Sequence, residues 1–145
     1  MKKRGAMELS FGMIFSIILI IAFMAFAFYA IKTFLGVQDS AKVGIFKTKL
    51  QEEVNKVWRA PEASQKVNYE LPSEVKEVCF KNWKYENVIF GPEESVNIPA
   101  INITNIDIEK TTTNKNPFCI EKKNGKFFMI LKKDFGESLV TILAG

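Results

Sequence analysis

The stretch that decides the fold is Leu9–Ile31, LSFGMIFSIILIIAFMAFAFYAI, an uninterrupted run of 23 uncharged residues between Glu8 and Lys32. As an α-helix this run is roughly 34 Å long, and the hydrocarbon core of a bilayer is about 30 Å thick. Its serine hydroxyls can bond back to carbonyls of the same helix. The run therefore predicts a transmembrane helix within residues 9–35, a single-pass topology and the lipid bilayer as a partner.

Two other interpretations of this run remain open. One is a core helix, although burying so many apolar side chains would leave a domain of roughly 110 residues little polar chain for its surface. The other is a cleaved secretory signal, because Ala25–Ala27 has the A-x-A pattern of a cleavage site that would release a domain beginning at Phe28. Apolar residues continue to Ile31 and Glu8 precedes the run, so we favour a retained helix.

Charge separates the start of the chain from the rest. Residues 1–8 form a basic leader that contains Lys2, Lys3 and Arg4. The chain has 20 Lys and Arg and 16 Asp and Glu residues, of which four basic residues and one acid precede Gln38, so sixteen against fifteen remain. Because a nucleic-acid-binding protein concentrates positive charge in its folded domain, we expect no nucleic-acid partner.

The residues KRGAMELS, Lys3–Ser10, resemble the processing site of type IV pilins and archaeal pilin-like proteins. In that family a short basic leader, a class III signal peptide, ends at a glycine, and the helix stays on the mature protein. The resemblance implies a cut after Arg4 and Gly5, with Ala6 as the new N-terminus and Glu8 as the acidic residue. Bacterial pilins place this glutamate further from the cut, so the archaeal comparison is closer. The resemblance also implies assembly with other copies, or with other pilin-like subunits, through the helix.

Helical spacing continues beyond the apolar run, after a weak point at Gly36. Apolar residues recur every three or four positions and predict one face of an amphipathic helix over residues 36–60, continuing from the membrane. Pro61 ends this helix because proline lacks the N–H that the helix would need. We expect the face to cover the protein's own sheet, and favour this over a docking site for a partner helix. Its residues are Val43, Phe46, Leu50, Val54 and Val57.

Residues 61–145 alternate with the period of a strand, which predicts a small antiparallel β-rich domain and an α+β fold overall. Asn124–Gly125 is the strongest hairpin signal, because a type I′ turn needs positive φ at both central residues. A change of parity between Ile103 and Ile106 indicates a bulge or bend near Thr104–Asn105. The predicted strands are 67–71, 75–82, 87–90, 100–109, 118–123, 126–132 and 138–143, and the predicted polar loop is 111–115.

The two cysteines lie on predicted strands, between apolar neighbours. Cys79 and Cys119 are therefore expected on the polar faces of those strands, where the thiols can meet if the strands are neighbours. A disulfide closing this loop would stabilise the domain by about 4 kcal/mol. It would also indicate an oxidising, extracytoplasmic compartment. Two unrelated free thiols are the alternative.

Two surface features are candidates for modification or binding. Asn102 begins an N-x-[ST] sequon and is a candidate for glycosylation on an outward face. Five lysines around Asn124–Gly125 form a basic cluster that is expected to keep an exposed hairpin soluble, with anionic headgroups or a glycan as less favoured contacts. Those lysines are Lys122, Lys123, Lys126, Lys132 and Lys133.

The absence of histidine bears on function. It removes the commonest general base and metal ligand, and two cysteines are too few for a structural zinc site. We expect no catalytic residues, no metal and no cofactor. The predicted function is a non-enzymatic surface protein, pilin-like, with a cytoplasmic N-terminus and its C-terminal domain outside. The alternative is a stand-alone membrane-anchored binding domain that does not assemble.

Overall fold

The structure is a computed structural model that describes residues 11–93 and 96–145. The predicted processing site lies outside these ranges, at Arg4, Gly5, Ala6 and Glu8. The described chain contains a long N-terminal helix followed by two small antiparallel sheets, which confirms the predicted α+β fold. It divides into two compact units, with the boundary between Gln38 and Asp39.

Helix α1 comprises Phe11–Arg59, 49 residues that run through Gly36 without a break. The predicted weak point there does not interrupt the helix. It ends two residues before Pro61, as proline chemistry predicts. In the second unit, four residues of the predicted apolar face are buried and the fifth, Val43, is partly buried against the core. The four are Phe46, Leu50, Val54 and Val57.

Six strands and one short helix follow α1, in two three-stranded antiparallel sheets. The first sheet has the order β1-β5-β6 and the second has the order β3-β2-β4. Each edge strand therefore pairs with one neighbour within its sheet. The elements are β1 Ala63–Tyr69, β2 Glu77–Phe80, β3 Val88–Gly91, α2 Ile108–Thr111, β4 Phe118–Glu121, β5 Phe127–Lys133 and β6 Thr141–Ala144.

The core joins both sheets to the second half of α1. Phe46 makes edge-on ring contacts with Tyr69 of β1 at 5.1 Å and with Phe90 of β3 at 5.7 Å between centroids. Hydrogen bonds add to this packing. The side-chain amide of Gln51 accepts from the N–H of Thr104 and donates to its carbonyl. The amphipathic face of α1 is thus core against the protein's own sheets.

The predicted strand over residues 100–109 is wrong. Only two isolated bridges form there, Val88 with Ile101 and Ile106 with Val140. The chain bends between them, and Asn105 adopts a φ of 66°. The change of apolar face between Ile103 and Ile106 therefore marks a bend in the chain, beyond which α2 begins. The predicted polar loop 111–115 also begins one residue too early, because Thr111 is the last residue of α2. Its hydroxyl accepts a hydrogen bond from the N–H of Ile142 in β6.

The Asn124–Gly125 turn has the predicted geometry, with φ values of 50° and 77°. Lys123 and Lys126 exchange both backbone hydrogen bonds across it. The strands on either side nevertheless belong to different sheets, β4 to the second and β5 to the first. The turn therefore connects the two sheets. The longer hairpin that the sequence predicted is reduced to one pair of hydrogen-bonded residues, Lys123 and Lys126.

Candidate membrane anchor and surface sites

The apolar segment, which we define as the described residues Phe11–Ile31, has the length and composition of a membrane span. Every residue from Phe11 to Gln38 is exposed, and the most apolar part of α1 is not covered by any described residue. The hydroxyls of Ser16 and Thr33 donate to carbonyls one turn earlier, those of Gly12 and Tyr29. These two hydroxyls are thereby satisfied within the helix, as a hydrocarbon environment requires of polar groups.

Cys79 and Cys119 form a disulfide with an S–S distance of 2.03 Å. The two residues face each other directly in the β2–β4 ladder, which confirms that their strands are neighbours and that the thiols share one face. The prediction that Cys79 lies on an exposed polar face was wrong, since Cys79 is only 3% exposed. Strand β2 is the central strand of its sheet, so Cys79 is enclosed between Ile89 of β3 and its own disulfide partner.

Glu77 lies on the same face as the disulfide. Its carboxylate and the two cysteine sulfurs lie within 4.8 Å of one another. If both cysteines were thiolates, these three groups could bind a soft metal ion. In the disulfide, however, neither sulfur is a thiolate, the species that binds metals. The side chain of Glu77 instead covers Gly91 of the neighbouring strand, where any added Cβ would meet it at 2.6 Å. The grouping is therefore structural.

The sequon residues have the predicted orientation. Asn102 and Thr104 are exposed, and Ile103 between them is buried in the core. The buried Asn87 side chain holds this segment in place, since it exchanges two hydrogen bonds with the Ile103 backbone at 2.7 and 2.8 Å. The Asn102 side chain is accessible, and its glycosylation stays a prediction.

The predicted basic cluster is dispersed in the structure. Lys133 is buried and donates to the carbonyls of Trp58 and Ala60 at the end of α1. Lys126 pairs with Glu70 at 3.6 Å and Lys132 with Asp134 at 3.1 Å. The strand alternation of β5 places neighbouring lysines on opposite faces, which sequence proximity alone does not reveal.

Lys122, by contrast, lies near other lysines. Burial lowers the pKa of Lys122, and the charges of Lys76 and Lys42 lower it further. Its ammonium group donates to the carbonyl of Pro72 at 3.3 Å and lies 5.5 Å from the Phe127 ring centroid. One member of this group, Lys42, lies near the beginning of the second unit, three residues after its first residue, Asp39.

A feature that the sequence analysis missed is the aromatic loop, residues 81–87 between β2 and β3. Trp83 is 56% exposed and Tyr85 is 72% exposed. The Lys81 ammonium lies 4.8 Å from the Trp83 ring centroid, and the Lys84 ammonium lies 5.5 Å from that of Tyr85. The available signal was the alternation of lysine and aromatic residues from 81 to 85, which departs from the pattern of a strand that buries its rings.

No protein-family model, curated protein or solved structure matches this chain.

Proposed function

We propose that this protein is a membrane-anchored, non-enzymatic surface protein that acts as a pilin-like structural subunit or accessory component. One observation carries the proposal: the apolar segment exposes all of its large side chains, including four isoleucines and a leucine from Ile17 to Ile21. A contiguous apolar surface of this size is rare on soluble monomers and marks contact with lipid or another protein.

The disulfide supports an extracytoplasmic place for residues 39–145. Such bonds persist in oxidising compartments and are rare in the cytosol. Together with the basic leader, this favours a cytoplasmic N-terminus and an outer C-terminal domain. The small residues Gly12 and Ser16, one turn apart on α1, offer a track for close helix contact between subunits.

The proposal is tested by intact-mass measurement of the protein isolated from its native membrane, after alkylation without a reductant. We expect a chain that begins at Ala6, as in the pilin-like family, and carries no alkyl group because both cysteines are bonded. Gly5→Leu is the matched variant and is expected to retain the leader, whereas Gly12→Leu is expected to be processed normally.

Other masses would contradict parts of the proposal. A chain that begins at Met1 indicates an anchor without pilin-like processing, and one that begins at Phe28 and is recovered from the medium indicates a released domain. Two alkyl groups would show free thiols and remove the support for an extracytoplasmic domain. For the processed protein, crosslinking in the membrane is expected to yield multiples of the subunit mass, and a monomer alone would contradict assembly.

A further inference from the structure

We propose that the aromatic loop binds an acidic polysaccharide, with the Trp83 and Tyr85 rings against sugar rings and Lys81 and Lys84 against their carboxylates. The two rings belong to the few large apolar side chains that the described part of the second unit leaves exposed, and they lie two residues apart. Exposed aromatic groups gathered in one place are typical of contact surfaces.

The base of the loop is fixed by hydrogen bonds. The Lys81 N–H donates to the carbonyl of Asn87 at 3.0 Å, and the Asn87 side chain is itself buried against Ile103. A second contact joins the Asn82 N–H to the side chain of Asn116 at 3.3 Å. Because the base is held in this way, the loop presents its rings with little ordering cost on binding.

The chemistry of the loop suits a sugar that carries a carboxylate. The C–H face of a pyranose ring is apolar and flat, and an exposed indole or phenol ring matches it. Each ammonium lies over its ring, so the lysine side chain moves aside when a sugar stacks on that face, and its flexible four-carbon stem lets it contact an acidic group on the sugar. Residues 81–86 contain two lysines and one acid, Glu86, so the loop carries a positive charge that favours an anionic polymer over a neutral one.

The aromatic loop is separate from the group of lysines around Lys122. The loop follows the C-terminal end of β2, whereas Lys76 precedes the N-terminal end of that strand. Lys76 lies near Lys122 and Lys42, at that N-terminal end. The aromatic loop is therefore at the opposite end of β2. Binding there is compatible with a subunit that assembles and with an anchor that does not.

The test is calorimetric titration of the full-length protein in nanodiscs of phosphatidylcholine. A hexamer of galacturonic acid is the probe, and maltohexaose is the neutral control. We expect the acidic hexamer to bind with a dissociation constant below about 1 mM, and more tightly than the neutral one. Trp83→Ala is expected to weaken binding by about tenfold or more. Phe135→Ala is the matched control, because Phe135 is 81% exposed but lies outside the loop.

The charged part of the proposal has its own variants. Lys81→Gln together with Lys84→Gln is expected to abolish the preference for the acidic sugar, whereas Lys66→Gln, which removes a lysine near the Phe128 ring, is expected to preserve it. Unchanged near-ultraviolet circular dichroism shows that each variant is folded. Absence of binding, equal losses in Trp83→Ala and Phe135→Ala, or equal binding of hexaglutamate or of anionic vesicles would overturn the proposal. These outcomes leave the masses that test the anchor unaffected.

Discussion

The hydroxyl of Tyr69 is buried without a hydrogen-bond partner among the described residues, and Tyr69 is 5% exposed. Burial, and then the negative charge of Glu53, raises the pKa of this phenol well above its usual value. The folded state therefore holds the phenolic proton more tightly than the unfolded state does. Stability must fall as pH rises above the ordinary tyrosine pKa of about 10.

We predict that Tyr69→Phe resists alkaline unfolding. At neutral pH its free energy of unfolding should equal or exceed that of the wild type, because the change removes an unpaired buried hydroxyl. Above about pH 10 the advantage of the variant should grow by up to about 1.4 kcal/mol per pH unit. Chemical denaturation in zwitterionic micelles at a series of pH values measures it. Tyr85→Phe, at an exposed tyrosine, is expected to follow the wild type, and a constant difference between Tyr69→Phe and wild type would contradict the account.

A second prediction concerns Lys133, whose ammonium group donates to two carbonyls at the end of α1 at 2.7 and 2.9 Å. A cation there satisfies orphan carbonyls and complements the helix dipole. Lys133→Met should therefore lower the free energy of unfolding by about 2 kcal/mol. Lys132→Met, which removes only an exposed ion pair, should cost less than about 0.5 kcal/mol. Equal losses in the two variants would show that Lys133 does not cap the helix.

At the scale of elements, the sequence predicted those features that depend on residues close together in the chain. The spacing of Phe46, Leu50 and Val54 identified the buried face of α1, since a helix that covers a core must repeat apolar residues at its own period. Pro61 and the Asn124–Gly125 turn were likewise readable, because each depends on the φ preferences of one or two residues. The pairing of Cys79 with Cys119 followed from parity once the strands proved to be neighbours.

Features that depend on distant residues were not predictable. The alternation from residue 100 to 109 looked like a strand, but Asn87 and Gln51 satisfy its backbone with side-chain amides in place of a ladder. The burial of Cys79 depends on β3 and β4 lying on both sides of β2. The exposure of Trp83 was missed because a tryptophan beside a strand is ordinarily expected in the core, although Lys81 and Lys84 on either side of it were a local signal of exposure.

Two glycines test the element-level account with opposite signs. Gly125 has a φ of 77°, where a Cβ is strained, so Gly125→Ala should destabilise the protein by about 1 kcal/mol. Gly44 lies within α1 with open space around its missing Cβ, so Gly44→Ala should stabilise it by up to about 1 kcal/mol. Denaturant titration measures both changes, and effects of the same sign would contradict the assignment of the turn or of the helix.

At the scale of the whole molecule, one contrast accounts for the organisation. Residues 39–145 bury a core between α1 and two sheets, and their charges nearly balance. The apolar segment instead exposes aliphatic and aromatic side chains, and its Ser16 hydroxyl bonds to a carbonyl of the same helix. Water disfavours such a surface strongly, since each buried methylene contributes about 0.8 kcal/mol. A bilayer is the environment that fits a helix of this length.

Extraction of native membranes with alkaline carbonate tests this claim most directly, because it strips peripheral proteins and leaves integral ones in the pellet. We predict that the polypeptide carrying residues 11–31 stays in the pellet and dissolves only with detergent. If that polypeptide is instead released and runs as a soluble monomer without detergent, the apolar segment does not span the membrane.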